Sequence, residues 1–246
     1  YDGPMQIMTS GPNSFASGTV SAVEVSGNLL VGGTGALSVN SAVTALHCGQ
    51  DLTITAPTTA VSTAGNAVYC GGMLIQEDDF LNATASAIDT YAIVSGEGIQ
   101  VNIGKLTAKS FDTAVVITEG DMTVSGGTVT MTSSGRHGAS INGKLTVTGG
   151  TVTASGYLNG IETAEFEISG GKLTSVSTST TNDSSSSAFR ISDYKKFVMV
   201  SPMEGLAAWG SSASNLVSLD TSNLVNYDYV VIGKGDGPVG VTVSGT

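Results

Sequence analysis

Two cysteines offer the first candidate chemistry in this chain of 246 residues. Cys48 and Cys70 are its only cysteines, and they lie 22 positions apart. If 22 residues make one structural repeat, the two cysteines occupy the same place in successive repeats, with Cα atoms about 5 Å apart. That separation allows either a disulfide bond or two stacked free thiols. A zinc site is not expected, because two cysteines without neighbouring ligands do not meet the requirement of zinc.

The densest acidic run is Glu77-Asp78-Asp79. Carboxylate oxygens are the ligands that Ca²⁺ prefers, so these three residues are the candidate metal site. The segment 71–97 is five residues longer than the repeat, and we expect the run to lie where this insertion leaves the regular wall. The alternative is a solvated acidic loop, because adjacent carboxylates on a strand point to opposite faces. No other cofactor is expected.

A few polar and aromatic residues are candidates for ligand contact. Arg136 and His137 lie between two glycines, and we expect both at a corner facing water, either contacting a sugar hydroxyl or carboxylate or forming a plain exposed turn. Tyr91 and Tyr157 are among the few aromatic side chains that could stack on a sugar ring. His47 shares a repeat position with Tyr69 and is expected to stack on it at the surface.

A repeat of 22 residues must position these side chains. The segments 27–48, 49–70, 98–119, 120–141 and 142–163 each have this length, and two longer segments interrupt them. The stretch "DMTVSGGTVTMTSS" from residue 121 returns almost unchanged one repeat later as "GKLTVTGGTVTASG". A fixed period in the twenties indicates a solenoid.

The pattern inside each repeat is that of strands. In the stretch from residue 145, Leu145 and Val147 alternate with Thr146 and Thr148, so apolar side chains face one side and hydroxyls the other. Glycine pairs between such runs mark corners. Each repeat therefore contains about three short strands, and it must stack on the next repeat to bury its apolar face. Val124 and Val147 should then lie in adjacent coils of one column.

The predicted fold is an all-β, right-handed, single-stranded parallel β-helix with about 22 residues per coil. We expect one domain over 1–246. Residues 1–26 form a cap or the first coil, 27–193 form the repeat coils, and 194–246 form the last coils and a cap.

Composition excludes several kinds of partner. The chain has 20 acidic and 9 basic residues and a formal net charge of −11, so it lacks the basic stripe that nucleic acids require. There is no run of apolar residues long enough for a transmembrane helix. We expect a monomer.

The segments "GDMTVSGGTVTMTSSGRHG", "NGKLTVTGGTVTASG" and "NLVNYDYVVIGKG" resemble bacterial secreted and cell-surface β-helix proteins, some of them adhesin-like and some carbohydrate-binding. The resemblance covers about 27–193 and the last strand, and it implies an extracellular or cell-surface location. The partner it implies is a polysaccharide or a host or cell-surface glycan. Since the shared motif is the coil scaffold, no functional residue is carried over.

Three functions therefore compete. The first is a glycan-binding or adhesin-like protein. The second is a structural spacer within a larger surface protein, which needs no binding site. The third is a polysaccharide lyase or hydrolase. Such enzymes need convergent carboxylates, or a cation with a basic residue, and no column of Asp or Glu follows the repeat.

Overall fold

A computed structural model describes residues 1–168 and 171–179, together with strands at 187–191, 197–200, 216–220, 229–232 and 239–244. Within these ranges the chain forms strands, turns and bends, with no helix. It follows that the described residues contain no long apolar helix of the kind that spans a bilayer. The predicted cap over 194–246 falls mostly outside the described residues.

The described chain contains 26 strands. In chain order they are β1 (Met5–Thr9), β2 (Asn13–Ser17), β3 (Val23–Val25), β4 (Leu29–Gly33), β5 (Leu37–Ser41), β6 (Leu46–Cys48), β7 (Leu52–Ile54), β8 (Thr58–Ser62), β9 (Val68–Cys70), β10 (Met73–Gln76), β11 (Phe80–Ala85), β12 (Ile93–Ser95), β13 (Gly98–Val101), β14 (Lys105–Ser110), β15 (Val115–Ile117), β16 (Asp121–Val124), β17 (Thr128–Ser133), β18 (His137–Val147), β19 (Thr151–Gly156), β20 (Asn159–Ile168), β21 (Lys172–Ser177), β22 (Ser187–Ile191), β23 (Phe197–Val200), β24 (Leu216–Asp220), β25 (Tyr229–Ile232) and β26 (Val239–Ser244).

The strands β1 to β22 stack in parallel as three walls of a β-solenoid with about seven turns. The first wall consists of β1, β4, β7, β10, β13, β16 and the C-terminal ends of β18 and β20. The second wall consists of β2, β5, β8, β11, β14, β17, β19 and β21. The third wall consists of β3, β6, β9, β12, β15, the N-terminal halves of β18 and β20, and β22.

The stacking confirms the predicted fold and its register. Val124 pairs with Val147 in the next coil of the first wall, as the repeat predicts. About 23 residues separate successive turns, close to the predicted 22. The interval varies because the corners absorb extra residues: Leu74 pairs with Ile99, 25 positions later.

Apolar side chains fill the interior in columns that run along the axis. On the second wall Leu106, Val129, Val152 and Leu173 lie directly above one another, and all four are fully buried. Complete burial of each such side chain is worth about 1.5–3 kcal/mol, so the stacked columns supply the main stabilisation of the fold. Because each coil covers its neighbour, no coil could form this core alone.

The corner between the first and second walls requires a positive φ. Gly104, Gly127, Gly150 and Gly171 stand there in successive coils, with φ of 82°, 69°, 73° and 74°. A Cβ on Gly127 would lie 2.3 Å from the carbonyl oxygen of Gly104 in the preceding coil. Glycine therefore satisfies both the backbone angle and the close approach of two coils. The prediction that glycine pairs mark corners is confirmed.

The corner between the second and third walls is held by serine hydroxyls. In several coils the last inward residue of the second-wall strand is a serine, which donates a hydrogen bond to a carbonyl of the preceding coil's corner. These bonds run from Ser41 to Val20 (2.9 Å), Ser62 to Val43, Ser110 to Thr90 (2.6 Å), Ser133 to Phe111 (3.3 Å) and Ser177 to Tyr157 (3.2 Å). A hydroxyl inside the solenoid thus satisfies backbone that would otherwise be buried without a partner.

The parallel stack changes direction at its C-terminal end. β26 pairs antiparallel with β21 of the second wall, and β24 pairs parallel with β26. The N-terminal residues 1–26 contain β1, β2 and β3, which pair in register with the next coil and so form a coil themselves.

Candidate functional site: the third wall

The third wall presents one outward side chain per coil. Its first five strands are three residues long, so only the middle residue of each points outward while the two flanking residues point into the core. The strand register aligns these outward residues in a single column. In order along the axis the column reads Glu24, His47, Tyr69, Val94, Val116, Ser140, Glu162 and Arg190.

The N-terminal part of this column is an aromatic pair beside a carboxylate. The rings of His47 and Tyr69 meet edge to face, with centroids 4.8 Å apart. Glu24 Oε1 lies 3.8 Å from His47 Nδ1, on the side away from Tyr69. The predicted stacking of His47 on Tyr69 is therefore confirmed, and it gives the wall a ring surface with an acceptor next to it.

The C-terminal part of the column belongs to a network of ionisable groups. His137 Nδ1 lies 3.1 Å from the side-chain Nδ2 of Asn159 in the next coil. The other ring nitrogen of His137, Nε2, lies 3.7 Å from Glu162 Oε2. The other oxygen of Glu162 is 3.7 Å from Arg190 Nε. One carboxylate on the third wall thus lies between a buried imidazole and an accessible guanidinium.

Arg136 forms the border of the same network. Its Nε lies 3.7 Å from Oδ1 of Asp112, whose side chain is buried, while the Arg136 side chain is 57% exposed. Both arginine contacts are longer than a hydrogen bond. Within the described part of the chain, neither guanidinium donates a hydrogen bond, so the donors of Arg136 and Arg190 are available to a ligand.

The expectation that His137 faces water is wrong. His137 is the first residue of β18, and only 9% of its surface is exposed. Burial lowers the pKa of its imidazole below the ordinary 6.5, although the nearby carboxylate of Glu162 opposes this shift. The flanking glycines suggested a turn, but counting back by twos from the inward-facing Ala139 and Ile141 would have placed His137 inward as well.

The two candidate tyrosines lie where the second and third walls meet. Both are half-buried, and the Tyr91 amide donates to Asn66 Oδ1 over 3.0 Å. Tyr157 is close to Arg136, because the amide of the following residue, Leu158, donates to the Arg136 carbonyl over 2.8 Å. The structure therefore brings Arg136, His137 and Tyr157 together and places Tyr91 at the same corner in an earlier coil.

Sequence reasoning assigned no role to Asp112, Glu162 or Arg190. Phe111, which directly precedes Asp112, is one of the few exposed aromatic residues of the described chain. Phe111 is 45% exposed at the same corner, and a Cβ on Gly135 would lie 3.3 Å from its ring. The signal available in the sequence was weak: Arg190 and Glu162 align only across a gap of 28 residues, longer than any other coil.

The three acidic residues of the candidate metal site point to separate environments. Glu77 directly follows β10, and its Oε1 accepts a hydrogen bond from Asn102 Nδ2 over 2.7 Å. Asp78 Oδ1 accepts from the Asp79 amide over 2.8 Å. In the described ranges no group of three or more His, Cys, Asp or Glu residues could hold a metal ion, and calcium stays a prediction.

Glu77, Asp78 and Asp79 lie off the strands, in the corner between β10 and β11, but little of the extra length of this coil lies there. Most of the extra length lies instead in the corner 86–92, which replaces the shorter corner 63–67 of the preceding coil. Asp79 has a φ of 50° and occupies the corner position that Gly104 takes in the next coil. Asp is one of the few residues other than glycine that tolerates this conformation, so its role here is conformational.

Cys48 and Cys70 lie below the surface at the corner between the third and first walls. They pair in adjacent coils, as the 22-residue spacing predicted. Both are buried free thiols in the structure. Of the two alternatives in the sequence, the stacked thiols are therefore the arrangement observed.

Comparison with protein families, curated proteins and solved structures finds no match for this chain. The site must therefore be interpreted from its own geometry.

Proposed function

We propose that this chain is a glycan-binding β-solenoid of a bacterial cell surface or secreted protein, and that the third wall is its contact surface. The proposal includes an adhesin-like role, in which a wall of stacked coils is laid against an extended polymer.

The observation that carries the proposal is the concentration of chemistry on one wall. The chain contains two histidines and two arginines, and all four lie on the third wall, beneath it or at its border. Chance would distribute them over three walls. The central outward column of the second wall, by contrast, is uncharged, and its lysines Lys105, Lys109 and Lys172 lie in the columns beside it. The central column reads Ser14, Ser38, Thr59, Asn82, Thr107, Thr130, Thr153 and Thr174.

The groups on the third wall match the chemistry of sugars. Tyr69 offers a ring on which the C–H face of a sugar can stack. Arg190 and Glu162 offer a donor and an acceptor for hydroxyl groups, and charged groups make the stronger hydrogen bonds. Tyr69 and Glu162 lie in one column, four coils apart along the axis, so an extended polysaccharide could contact both.

The electrostatics support a ligand without strong negative charge. Arg136 and Arg190 are each paired with a carboxylate, so the network carries no large net charge, and the whole chain is acidic. Nucleic acid would be repelled by such a surface. Neutral hydroxyl-rich polymers meet both donors and acceptors here.

A glycan array with and without Ca²⁺ tests the proposal. We expect binding that Tyr69→Ala and Arg190→Gln each weaken about tenfold or more, as loss of a stacking or charged contact does. Thr130→Ala on the second wall is the matched control and should bind as the unmodified protein does. Absence of binding in both conditions, or equal weakening by Thr130→Ala, would contradict the proposal.

The second wall favours a different function, that of a structural spacer. Its column of hydroxyls and amides has no recognition geometry, and it suits a surface that only has to be soluble and regular. If the array shows no ligand and the variants of both walls behave alike, the spacer is the better description.

A further inference from the structure

A column of inward residues runs along the corner between the third and first walls. Cys48, Cys70 and Ser95 follow one another in it, one per coil, between the apolar Val25 and Ile117. Ser95 Oγ lies 2.9 Å from the Gly72 carbonyl of the preceding corner, as a hydrogen-bond donor. In this column a polar side chain satisfies corner carbonyls inside the solenoid.

The two thiols occupy this donor position. Cys48 Sγ lies 3.1 Å from the carbonyl oxygens of Gly27 and Asp51, and Cys70 Sγ lies 3.0 Å from that of Gln50. A hydroxyl performs the same task at Ser95, so corner geometry alone does not require cysteine. Two cysteines on successive coils add a reactivity that serine lacks.

The pair meets the Cα separation that a disulfide needs. Cys48 and Cys70 are direct partners on parallel neighbouring strands, which lie about 4.8 Å apart. Disulfide-bonded cysteines have Cα separations of about 4.4–6.8 Å, so the bond can form without separating the coils.

We propose that Cys48 and Cys70 form an oxidisable pair in which Cys48 attacks a peroxide and Cys70 then closes a disulfide between two successive coils. In the first step the Cys48 thiolate attacks one peroxide oxygen, the O–O bond breaks, and a sulfenic acid forms as hydroxide takes up a proton and leaves as water. In the second step the Cys70 sulfur attacks the Cys48 sulfur, the S–O bond breaks, and a second water leaves with the Cys70 proton. Two thiols lose two electrons, and one peroxide gains them.

The interaction between the two thiols supports these roles. It lowers the pKa of Cys48 to about 7. The same interaction, together with burial, raises the pKa of Cys70. Since the thiolate is the attacking form, this difference favours Cys48 as the attacking sulfur, with Cys70 keeping its proton until the second step.

A small oxidant has a short path to the sulfurs. Both thiols are buried, but they lie directly beneath Gly49 and Gln50, which are exposed. A surface groove of about 340 Å³ runs over Asn28, Leu29 and Asp51, and the Asp51 carbonyl contacts Cys48 Sγ. Opening of this one corner would bring peroxide to Cys48.

The test is oxidation of the folded chain with hydrogen peroxide at pH 7.5, followed by alkylation under denaturing conditions and intact-mass analysis. We expect the alkylatable thiols to fall from two to none, the mass to fall by two hydrogens before alkylation, and dithiothreitol to reverse both changes. Retention of both thiols in the folded chain, a disulfide-linked dimer or a stable sulfinic acid would each overturn the proposal.

Serine variants test the assignment of roles. Cys70→Ser should trap the sulfenic acid at Cys48, visible as a dimedone adduct. In Cys48→Ser, the remaining Cys70 should react with peroxide at least about tenfold more slowly than Cys48 does. Both variants are expected to fold, because a serine already stands in this column at Ser95. Equal reactivity of the two variants would overturn the assignment, and the wild-type mass measurement decides the disulfide even if a variant fails to fold.

Discussion

The second and third walls share one backbone repeat but present different surfaces. On the second wall strands of five or six residues expose two or three side chains per coil, and most of them are hydroxyls that match those of the neighbouring coil. On the third wall strands of three residues expose one, and neighbouring coils differ: His47 precedes Tyr69, and Ser140 precedes Glu162.

This difference shows how the repeat divides its tasks. Identical uncharged side chains pair well across parallel strands, so the second wall stabilises the stack. A column with one side chain per coil contributes little to such pairing and can vary. The histidines and arginines therefore lie on or beside the wall where stacking of the coils constrains the outward side chain least.

Substitutions in the interior should destabilise the protein to a similar extent in the second and third walls. This is the largest expected effect on the free energy of unfolding. Leu106 of the second wall and Ile93 of the third wall are both fully buried. Leu106→Ala and Ile93→Ala should each lower the free energy of unfolding by about 2–5 kcal/mol, through lost burial and the cavity left behind. Urea unfolding followed by circular dichroism measures this.

Thr107→Val is the matched control, one position along the same strand. The Thr107 hydroxyl is buried and has no hydrogen-bond partner among the described residues, so its replacement by a methyl group removes no bond. The free energy of unfolding should stay the same or rise slightly. If Ile93→Ala left the free energy of unfolding unchanged, the third wall would contribute less to the core than the second wall does.

The corner before the second wall should be the next most sensitive place. Gly127→Ala forces a side chain into a positive φ and against the carbonyl of Gly104, and should cost about 1–3 kcal/mol in the free energy of unfolding. Asp79→Gly, at the same corner of an earlier coil, should change it by less than about 1 kcal/mol. Equal losses for the two variants would show that the corner conformation is not what constrains this position.

The sequence predicted what the repeat enforces. The pairing of Val124 with Val147, of Cys48 with Cys70 and the stacking of His47 on Tyr69 all follow from counting along a period, because stacked coils must align their buried residues. The corner glycines were found for the same reason. Where one coil resembles the next, the repeat period alone predicts which residues lie next to each other.

The errors arose where a residue departs from its neighbours in the repeat. Asp79 replaces a corner glycine, so an acidic run looked like an insertion although it occupies a corner that the other coils also have. His137 has Asn159 as its counterpart in the next coil, and two flanking glycines hid its inward phase. The partners of Arg190 depend on a long coil, whose register cannot be counted from the sequence.

Acid should destabilise the fold through the buried His137 of the third wall. This is the smallest expected effect on the free energy of unfolding. The folded-state pKa of His137 lies below the ordinary 6.5, so the unfolded chain takes up a proton first as the pH falls. The contribution of His137 to stability is therefore present above pH 6.5 and is lost below it, by no more than about 1.4 kcal/mol per pH unit for a single proton.

The comparison of His137→Asn with the unmodified chain isolates this contribution. Asparagine is the residue that the next coil already holds at this place, in Asn159. Between pH 7.5 and pH 5.5 the unmodified chain should lose more of its free energy of unfolding than the variant does. A smaller loss would mean that the Glu162 carboxylate outweighs burial and stabilises a charged imidazole.

The three-residue strands of the third wall have a consequence for how such a protein changes over generations. One substitution in each turn suffices to replace the whole outward column from Glu24 to Arg190, and none of these substitutions alters a residue at the centre of the solenoid. Descendants of one ancestral scaffold can therefore diversify this outward column while inheriting an unchanged interior.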